Sequence, residues 1–219
     1  MNATALLPPF FALTLSPLLL GVVNRTKAIF GGRQGQPLLQ VYFDLWRLLN
    51  KGAVYSRTTT WVFRFGPMLG LSAVVTASMV MPFGTLDAPL AFDGDFILFA
   101  YLLGLARLCT VLAALDTGSP FEGMGASREV FFSVFAEVAL FLGLAALARE
   151  TSRLSMTGIH QAITPSLWLH AGITFALVTA AFSAVFLTEN SRIPVDDPNT
   201  HLELTMIHEV MVLDHSGPD

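Results

Sequence analysis

Titratable side chains are concentrated at the end of this chain, in residues 189–219. This segment holds seven of the sixteen carboxylates and three of the five histidines. It follows directly on an apolar run, residues 167–188, that is long enough to cross a bilayer. Dense titratable groups at the mouth of a membrane helix are costly and are typical of sites that handle charge or protons. The segment is therefore the first candidate for chemistry in this chain.

Two ionisable residues fall well inside predicted membrane spans. Arg107 lies past the middle of the third span, at about 96–115, and Glu137 lies near the middle of the fourth, at about 130–148. A central charge costs about 2.5–3.5 kcal/mol on translocon scales, so neither residue should face lipid without compensation. Their opposite signs on consecutive helices permit a static ion pair. Alternatively, Glu137 faces a hydrated channel and relays protons, since burial favours the protonated form of a carboxylate. Further charges crowd the connection nearby: Asp116, Glu122, Arg128 and Glu129.

The terminal segment itself predicts a helix. Thr200 followed by Glu203 fits a capping box, and Gly217-Pro218 would stop the helix after about His215. Three histidines recur every seven residues along it and share roughly one face: His201, His208 and His215.

A metal site is not predicted. Histidines seven apart lie about 10 Å apart along a helix, too far to share one ion. His208-Glu209 lacks the second histidine of the zinc-protease spacing. Cys109 is the only cysteine, which excludes a disulfide framework or a cysteine cluster within the chain. No pattern for binding phosphate or nucleic acid is present, so we expect no metal and no nucleic acid.

The elements that must position these residues are membrane helices. Hydrophobic residues make up 53% of the chain, charged residues only 13%, and the mean hydropathy is +0.63. The surplus comes in blocks of spanning length, so the predicted fold is an all-α polytopic membrane protein in the lipid bilayer. Five spans are predicted, at about 5–23, 61–81, 96–115, 130–148 and 167–188. Residues 1–188 then form a membrane domain, followed by an acidic loop at 189–219.

The connection after the first span contains a predicted interfacial helix at about 37–51. Apolar residues recur there at helical spacing, with Asp44 and Arg47 nearer the other side. Two interpretations compete for this helix: a simple membrane-surface anchor, or a surface on which a soluble partner docks.

The distribution of basic residues predicts the orientation. Seven of the twelve lysines and arginines lie between Arg25 and Arg64, whereas the second connection, 82–95, has none. Basic residues accumulate on the cytoplasmic side. We therefore expect an outside N-terminus and a cytoplasmic acidic loop, with Arg149 and Arg153 as the dissenting pair.

Four blocks of sequence resemble a known family. They are residues 35–51, Arg64-Phe-Gly-Pro67, Gly125-Ala-Ser-Arg-Glu129 with Ala136-Glu137, and the acidic segment. Together they resemble the proton-channel membrane subunit shared by respiratory complex I (its subunit 1, or H) and the membrane-bound group 4 NiFe hydrogenases. Complex I has a Phe-Asp pair after the proline of the acidic segment, whereas this chain reads Pro194-Val-Asp-Asp-Pro198. That sequence is similar to the hydrogenase branch of the family, which includes formate hydrogenlyase and hydrogenase-4.

The resemblance implies roles for individual residues. Glu137 matches the family's intramembrane glutamate, and Arg128 and Glu129 match the polar start of the fourth span. The acidic funnel and its arginine are matched by Glu189, Asp196, Asp197, Glu203, Glu209 and Arg192. With Arg107 as a supporting charge, these residues form the expected proton or sodium pathway. A peripheral arm is expected to dock through Asp44, Arg47, His201, His208, Asp214 and His215.

The resemblance also implies partners. The arm carries the hydrogenase large and small (iron–sulfur) subunits, and antiporter-like membrane subunits adjoin this one. The NiFe centre and the iron–sulfur clusters are expected in those partners, so this chain is a non-catalytic subunit with no cofactor of its own, in the cell inner membrane. Two alternatives stay open: a subunit that forms part of a quinone site in an NADH:quinone oxidoreductase-like complex, and a passive membrane anchor. Because family members have about eight spans, we also expect a C-terminally truncated chain that lacks the last three helices.

Overall fold

The computed structural model describes residues 7–190, 195–196 and 207–218. The described chain is all-helical, and five of its helices are long and apolar enough to cross a membrane, which confirms the predicted polytopic fold. The helices are α1 (Leu7–Phe30), α2 (Gln40–Leu49), α3 (Trp61–Val80), α4 (Asp95–Asp116), α5 (Pro120–Thr151), α6 (Met156–Ala162), α7 (Pro165–Glu189) and α8 (His208–Met211).

The spans pack in chain order: α3 on α4, α4 on α5, and α5 on α7, with α1 beside α3. Successive spans run antiparallel, since the end of α4 contacts the start of α3 and the start of α4 contacts the connection that follows α5, so the bundle has two ends. One end, here called the α8 end, joins the start of α3, the end of α4, the start of α5 and the end of α7. The opposite end carries α6 and is called the α6 end.

Helix α5 begins ten residues before the predicted start of the fourth span. Gly118 has φ +70°, Ser119 is extended, and Pro120 opens the helix, which is where proline is best tolerated. The connection between α4 and α5 is therefore only about three residues long. Arg128 and Glu129 were placed at the start of the span, but they lie inside α5, more than two turns after its first residue. The polar residues in this part of α5 lower its hydropathy, so the hydropathy pattern did not predict that the helix begins here.

Two apolar clusters hold the bundle. At the α6 end, Val80, Phe96, Leu144 and Ile159 pack together with Met156. At the α8 end, the cluster consists of Val111, Ala114, Ala126 and Met211. Because Met211 belongs to the terminal segment, that segment is part of the packed bundle at this end.

Side-chain hydrogen bonds, two of them to backbone amides, hold the α6 end together. Asp95 is fully buried and accepts a hydrogen bond from the Met156 amide at 2.6 Å. Thr157 Oγ1 accepts from the Ala88 amide at 3.2 Å, and Gln161 donates to Asp87 at 2.7 Å. Helix α6, which hydropathy did not predict, thereby ties the α3–α4 connection to the α5–α7 connection.

Helix α2 falls within residues 37–51, where an interfacial helix was predicted, and is shorter than that range. The Tyr42 hydroxyl donates to the Thr14 carbonyl of α1, and Gly21 of α1 has no room for a side chain against the Leu38 carbonyl. Phe43 and Trp46 are 64% and 72% exposed. One face of α2 is thus packed on α1, and the aromatic face is left open.

The terminal helix is shorter than predicted. It ends at Met211 with Val212 as its C-cap, and residues 212–218 follow as turns. His215 therefore lies beyond the helix, so the prediction that His208 and His215 share one helical face was wrong. The predicted capping box of Thr200 and Glu203 lies outside the described residues.

Candidate functional site

Arg107 of α4 contacts three glutamates that come from two other helices. Its Nε lies 3.0 Å from Glu129 Oε1, its Nη1 lies 3.8 Å from Glu137 Oε1, and its Nη2 contacts Glu189 Oε2. The Arg107 side chain is only 10% exposed. An Arg107–Glu137 pair was one of two alternatives from the sequence, and the structure shows that contact as a long one; Glu129 is the closer and more buried partner, at 7% exposure.

His208 extends this cluster into the terminal segment. Its Nε2 lies 3.1 Å from Glu129 Oε2, and its Nδ1 lies 3.4 Å from Asp196 Oδ2. The same Asp196 oxygen accepts the backbone amides of Ile207 at 3.2 Å and His208 at 3.3 Å. A carboxylate that accepts two amides at the start of a helix serves as its cap and fixes the side chain beside it.

These contacts form one continuous series: Glu137, Arg107, Glu129, His208 and Asp196, with Glu189 as a branch at Arg107. We call this series the charge chain. It starts near the middle of α5 and ends at the buried Asp196, which is 5% exposed. One arginine faces three glutamates, so the chain carries an excess of negative charge unless protons or cations are bound to it. A cavity of about 320 Å³ adjoins the chain at Arg107, Glu129, Glu189 and His208.

The pKa of His208 is raised above its ordinary value of 6.5. Burial alone would lower the pKa, because it penalises the charged imidazolium, but the hydrogen bond and charge of Glu129, with a further contribution from Asp196, outweigh it. The proton on His208 therefore stabilises the contact between the terminal segment and α5.

The terminal segment reaches the chain because α5 has a small residue where the two cross. A Cβ at Gly125 would lie 2.8 Å from the Ile207 carbonyl oxygen and 3.1 Å from Met211 Cγ. Val210 and Met211 are 1% and 2% exposed beside it. Gly125 was singled out only as part of a motif, and its role in the structure is close approach of the two backbones.

Two residues outside the predicted site also hold this end together. Glu122 is 1% exposed, and its Oε1 accepts the Asp214 amide at 3.2 Å. Ser119-Pro-Phe-Glu122 has the spacing of a capping box, so the sequence carried a signal for this helix start. In the structure Ser119 makes no side-chain cap bond, and Glu122 faces the terminal segment instead.

Asp116 is the second residue outside the predicted site that holds the α8 end together. It sits at the C-terminal end of α4, where a negative charge is unfavourable for its own helix. It compensates by capping the start of α3, accepting the Thr60 amide at 2.6 Å, the Thr60 hydroxyl at 2.7 Å and the Phe63 amide at 3.2 Å. Phe63 in turn stacks on His215, with ring centroids 4.1 Å apart. His215 is therefore packed against α3.

The remaining predicted site residues do not join the charge chain. Asp44, Arg47 and Arg128 lie partly or fully exposed on α2 and α5, and Glu209 and Asp214 are exposed on the terminal segment. Arg192, Asp197, His201 and Glu203 lie outside the described residues. Among the residues that the structure describes, no group of three or more His, Cys, Asp and Glu side chains could hold a metal ion.

Five helices long enough to cross a membrane, with a buried series of charged residues among them, define the class as a polytopic membrane protein. The chain belongs to the NADH dehydrogenase family, whose model matches residues 3–218.

Comparison with relatives narrows the assignment of this chain within the family. The chain is 32% identical over 191 residues to formate hydrogenlyase subunit 4 of Escherichia coli (strain K12), and 31% identical over 200 residues to hydrogenase-4 component C of the same organism. These matches cover 87% and 91% of this chain but 62% and 63% of the relatives, so the chain spans less than two thirds of their length.

The fold is also found among solved structures. A chain of the membrane-bound sulfane sulfur reductase, an archaeal respiratory membrane complex, superposes with a TM-score of 0.78 at 24% identity. The likeness covers 96% of this chain and 71% of that one. The predicted kinship with the complex I-like family and its hydrogenase relatives is thus confirmed.

Proposed function

We propose that this chain is a membrane subunit of a NiFe hydrogenase or formate hydrogenlyase type complex, and that protons, or sodium ions, move along its charge chain. The observation that carries the proposal is the sharing of Arg107 among Glu129, Glu137 and Glu189. An arginine cannot neutralise three carboxylates at once. Protonating one of them frees the guanidinium for the others, so the group can pass charge by exchanging partners.

Residue roles follow from position. Glu137, half exposed on the side of the bundle, takes up the proton, and Arg107 shifts toward Glu129 and Glu189 as it does so. The closer guanidinium stabilises Glu129 as a carboxylate, so the proton between Glu129 and His208 moves onto the imidazole, whose other ring nitrogen faces Asp196. Glu189 belongs to the same pathway as a branch at Arg107. We propose that the pathway continues through the exposed Glu209 and through three residues outside the described ranges: Arg192, Asp197 and Glu203.

The peripheral arm is proposed to dock at the α8 end. This end carries α2, the connection to α3 and the terminal segment, and with them most of the basic residues, which favours a cytoplasmic α8 end and an N-terminus outside the inner membrane. Asp44, Arg47 and Asp214 are accessible there. In this proposal the large and small hydrogenase subunits hold the NiFe centre and the iron–sulfur clusters, and antiporter-like subunits adjoin the bundle in the bilayer.

The test separates coupling from catalysis. In the complete complex in sealed vesicles, Glu137→Gln and Glu129→Gln should abolish ion movement per turnover while hydrogen evolution or uptake persists. Glu150→Gln is the matched control, since Glu150 lies on the same helix at the α6 end and contacts Thr174 instead. Unchanged ion movement in both variants would contradict the proposal. Loss of assembly in place of coupling would favour a passive anchor.

A quinone-site role is the second candidate, and one cavity favours it. A cavity of about 410 Å³ lies between Pro67, Ala113, Val212 and His215, with Leu48 of α2 at its edge. An apolar cavity with a single imidazole is suited to a quinone ring and its carbonyl. Quinone-dependent electron transfer by the purified complex, lost on Ala113→Trp, would establish this role.

A further inference from the structure

The charge chain contains one link that no proton can cross. Arg107 lies between Glu137 and Glu129 in the series, and a guanidinium is not deprotonated in proteins. Arg107 can therefore follow a change of charge by exchanging its partners, but it cannot hand a proton from one glutamate to the other. A proton taken up at Glu137 needs a separate route to Glu129.

The two glutamates do not provide that route by themselves. Glu129 and Glu137 are eight residues apart on α5, which corresponds to about 12 Å along the helix axis. Their carboxylates contact different nitrogens of Arg107. A group that can both accept and donate a proton is therefore required between them.

Ser133 lies midway between the two glutamates. The seven residues that separate Glu129 from Glu137 read Val-Phe-Phe-Ser-Val-Phe-Ala, and the serine is the one polar residue among them. Ser133 is four residues from each glutamate, so the three side chains fall along one side of α5. It is buried, at 7% exposure, on the same stripe of α5 as Glu129. A buried hydroxyl is thus placed between the two carboxylates.

The hydrogen bond of this hydroxyl gives it a direction. Ser133 Oγ donates to the Val130 carbonyl at 3.0 Å, so its proton points back toward the turn that carries Glu129. Its oxygen has two lone pairs with which it can accept a proton from the side of Glu137. Side chains on a helix lean toward its N-terminus, and this lean carries the Glu137 carboxyl toward Ser133.

One donor of Arg107 can hold water beside Glu137. Its Nη1 is buried and has no hydrogen-bond partner among the residues that the structure describes. It lies 3.8 Å from Glu137 Oε1, a separation at which a bridging water is expected. Such a water completes the distance from the Glu137 carboxyl to the Ser133 hydroxyl.

We propose that the Ser133 hydroxyl relays protons from Glu137 to Glu129, with one water molecule at Arg107 Nη1 between Glu137 and Ser133. The inference rests on the proposed ion pathway and specifies the ion, because a hydroxyl relays protons and does not relay sodium ions.

The relay conserves protons and charge. The O–H bond of protonated Glu137 breaks, its proton passes through the water to Ser133 Oγ, and the hydroxyl proton of Ser133 passes to the Glu129 carboxylate. Glu137 becomes the carboxylate and Glu129 the acid, so Arg107 moves back toward Glu137. The hydroxyl then rotates and again donates to the Val130 carbonyl.

The variant Ser133→Ala removes the hydroxyl and little else. Alanine already fills the same stripe at positions 126 and 136, so the variant should assemble and unfold as the wild type does. A positioned proton-transfer group contributes about 10²–10⁴-fold to a rate. In the complete complex in sealed vesicles, ion movement per hydrogen turnover should therefore fall by at least about tenfold.

Ser127→Ala is the matched control. Ser127 lies on the same helix and donates to the Met124 carbonyl at 2.8 Å in the same way, but it is exposed and off the buried stripe. Its replacement should leave ion movement unchanged. Ser133→Thr keeps a hydroxyl at the position and should retain most of the ion movement.

Two results for ion movement would overturn the proposal. The first is unchanged ion movement in Ser133→Ala, which is expected if the serine only fills space and bonds to its own helix. The second is an equal loss in Ser133→Ala and Ser133→Thr, which would mean that the size of the side chain matters and the hydroxyl does not.

Infrared difference spectroscopy locates the proton when the relay is removed. In Ser133→Ala the proton should remain on Glu137 during turnover, so the carboxylic acid C=O band of Glu137 should be stronger than in the wild type. The band is assigned by its loss in Glu137→Gln. A purely structural serine would not move this band, and equal bands in Ser133→Ala and the wild type would overturn the proposal.

Failure of the relay and failure of the pathway give different results. If Glu137→Gln and Glu129→Gln abolish ion movement but Ser133→Ala does not, the relay is wrong and the pathway stands. If all three variants keep normal ion movement, the pathway itself is wrong, and the relay with it.

Discussion

Glu129 Oε2 in α5 lies 3.1 Å from His208 Nε2 in the terminal segment. Glu129 binds Arg107 through its other oxygen, so one buried carboxylate links Arg107 of α4 to the terminal segment. The placement of the terminal segment and the charge balance at Arg107 are therefore linked. A change in the protonation of His208 therefore alters how strongly the negative charge of Glu129 attracts Arg107.

The first prediction concerns pH. The pKa of His208 is raised in the folded protein, so its proton contributes stability that is fully present below the ordinary value of 6.5 and is lost as pH rises through the raised pKa. Opening of residues 207–212, measured by hydrogen exchange in lipid nanodiscs and corrected for intrinsic rates, should increase across that window.

His208→Gln should remove this pH dependence and leave the segment at its high-pH level of exchange. His160→Gln is the control, because His160 contacts the Gly84 carbonyl at the α6 end. If the wild-type exchange profile stays flat through the window, protonation of His208 does not hold the segment.

The second prediction tests the close approach at Gly125. Gly125→Ala would bring a methyl group to 2.8 Å from the Ile207 carbonyl oxygen, so either the segment or α5 must shift. We expect higher protease sensitivity in residues 207–218 and a loss of about 1–3 kcal/mol, typical of overpacking.

The control for this test lies two residues away. A Cβ at Gly123 meets nothing within 4 Å, and alanine favours a helix by about 0.5–1 kcal/mol over glycine. Gly123→Ala should therefore leave the segment protected and raise stability slightly. Equal protease sensitivity in both variants would mean that the contact at Gly125 is not what seats the segment.

Hydropathy was enough to predict the five spans, because an apolar run of spanning length has few alternatives in water or lipid. It misplaced the start of α5, where Glu122, Arg128 and Glu129 read as a polar connection. Two features of the sequence mark that start. Gly118 and Pro120 favour a turn followed by a first helical residue, and Ser119 begins a segment with capping-box spacing.

The site residues were predicted from the presence of charged side chains inside the spans, not from contacts between those side chains. Arg107 and Glu137 stood out because charges inside spans are rare, and the structure brings both together. That Glu129 is the central partner could not be read from sequence, since it depends on how α4 and α5 are rotated. The seating of the terminal segment depends on a glycine and on long-range packing, which no local pattern contains.

The third prediction concerns Asp116, which caps α3 from the end of α4. Removing its carboxylate leaves the Thr60 and Phe63 amides without this acceptor, and loss of a cap costs about 0.5–2 kcal/mol. Asp116→Ala should lower stability by that amount in thermal unfolding in detergent micelles. Asp93→Ala, at an exposed position in the α3–α4 connection, should cause a smaller change. Equal effects would argue that Asp116 acts only through general charge.

The last prediction addresses Arg107 itself. Arg107→Leu leaves Glu129 and Glu189 without their cation, and breaking a buried ion pair costs about 3–5 kcal/mol. Unfolding in detergent micelles should show a loss of that order, with Arg153→Leu, exposed at the α6 end, as the control.

Arg107→Lys should recover only part of the loss, because an ammonium cannot reproduce the fork of donors that reaches separate carboxylates. The double variant Arg107→Leu with Glu129→Gln should be more stable than Arg107→Leu alone, since it removes the most buried uncompensated charge. Additive effects of the two changes would contradict the direct contact between these residues. A positive coupling would place the cost of Arg107→Leu at Glu129, the carboxylate that also binds His208.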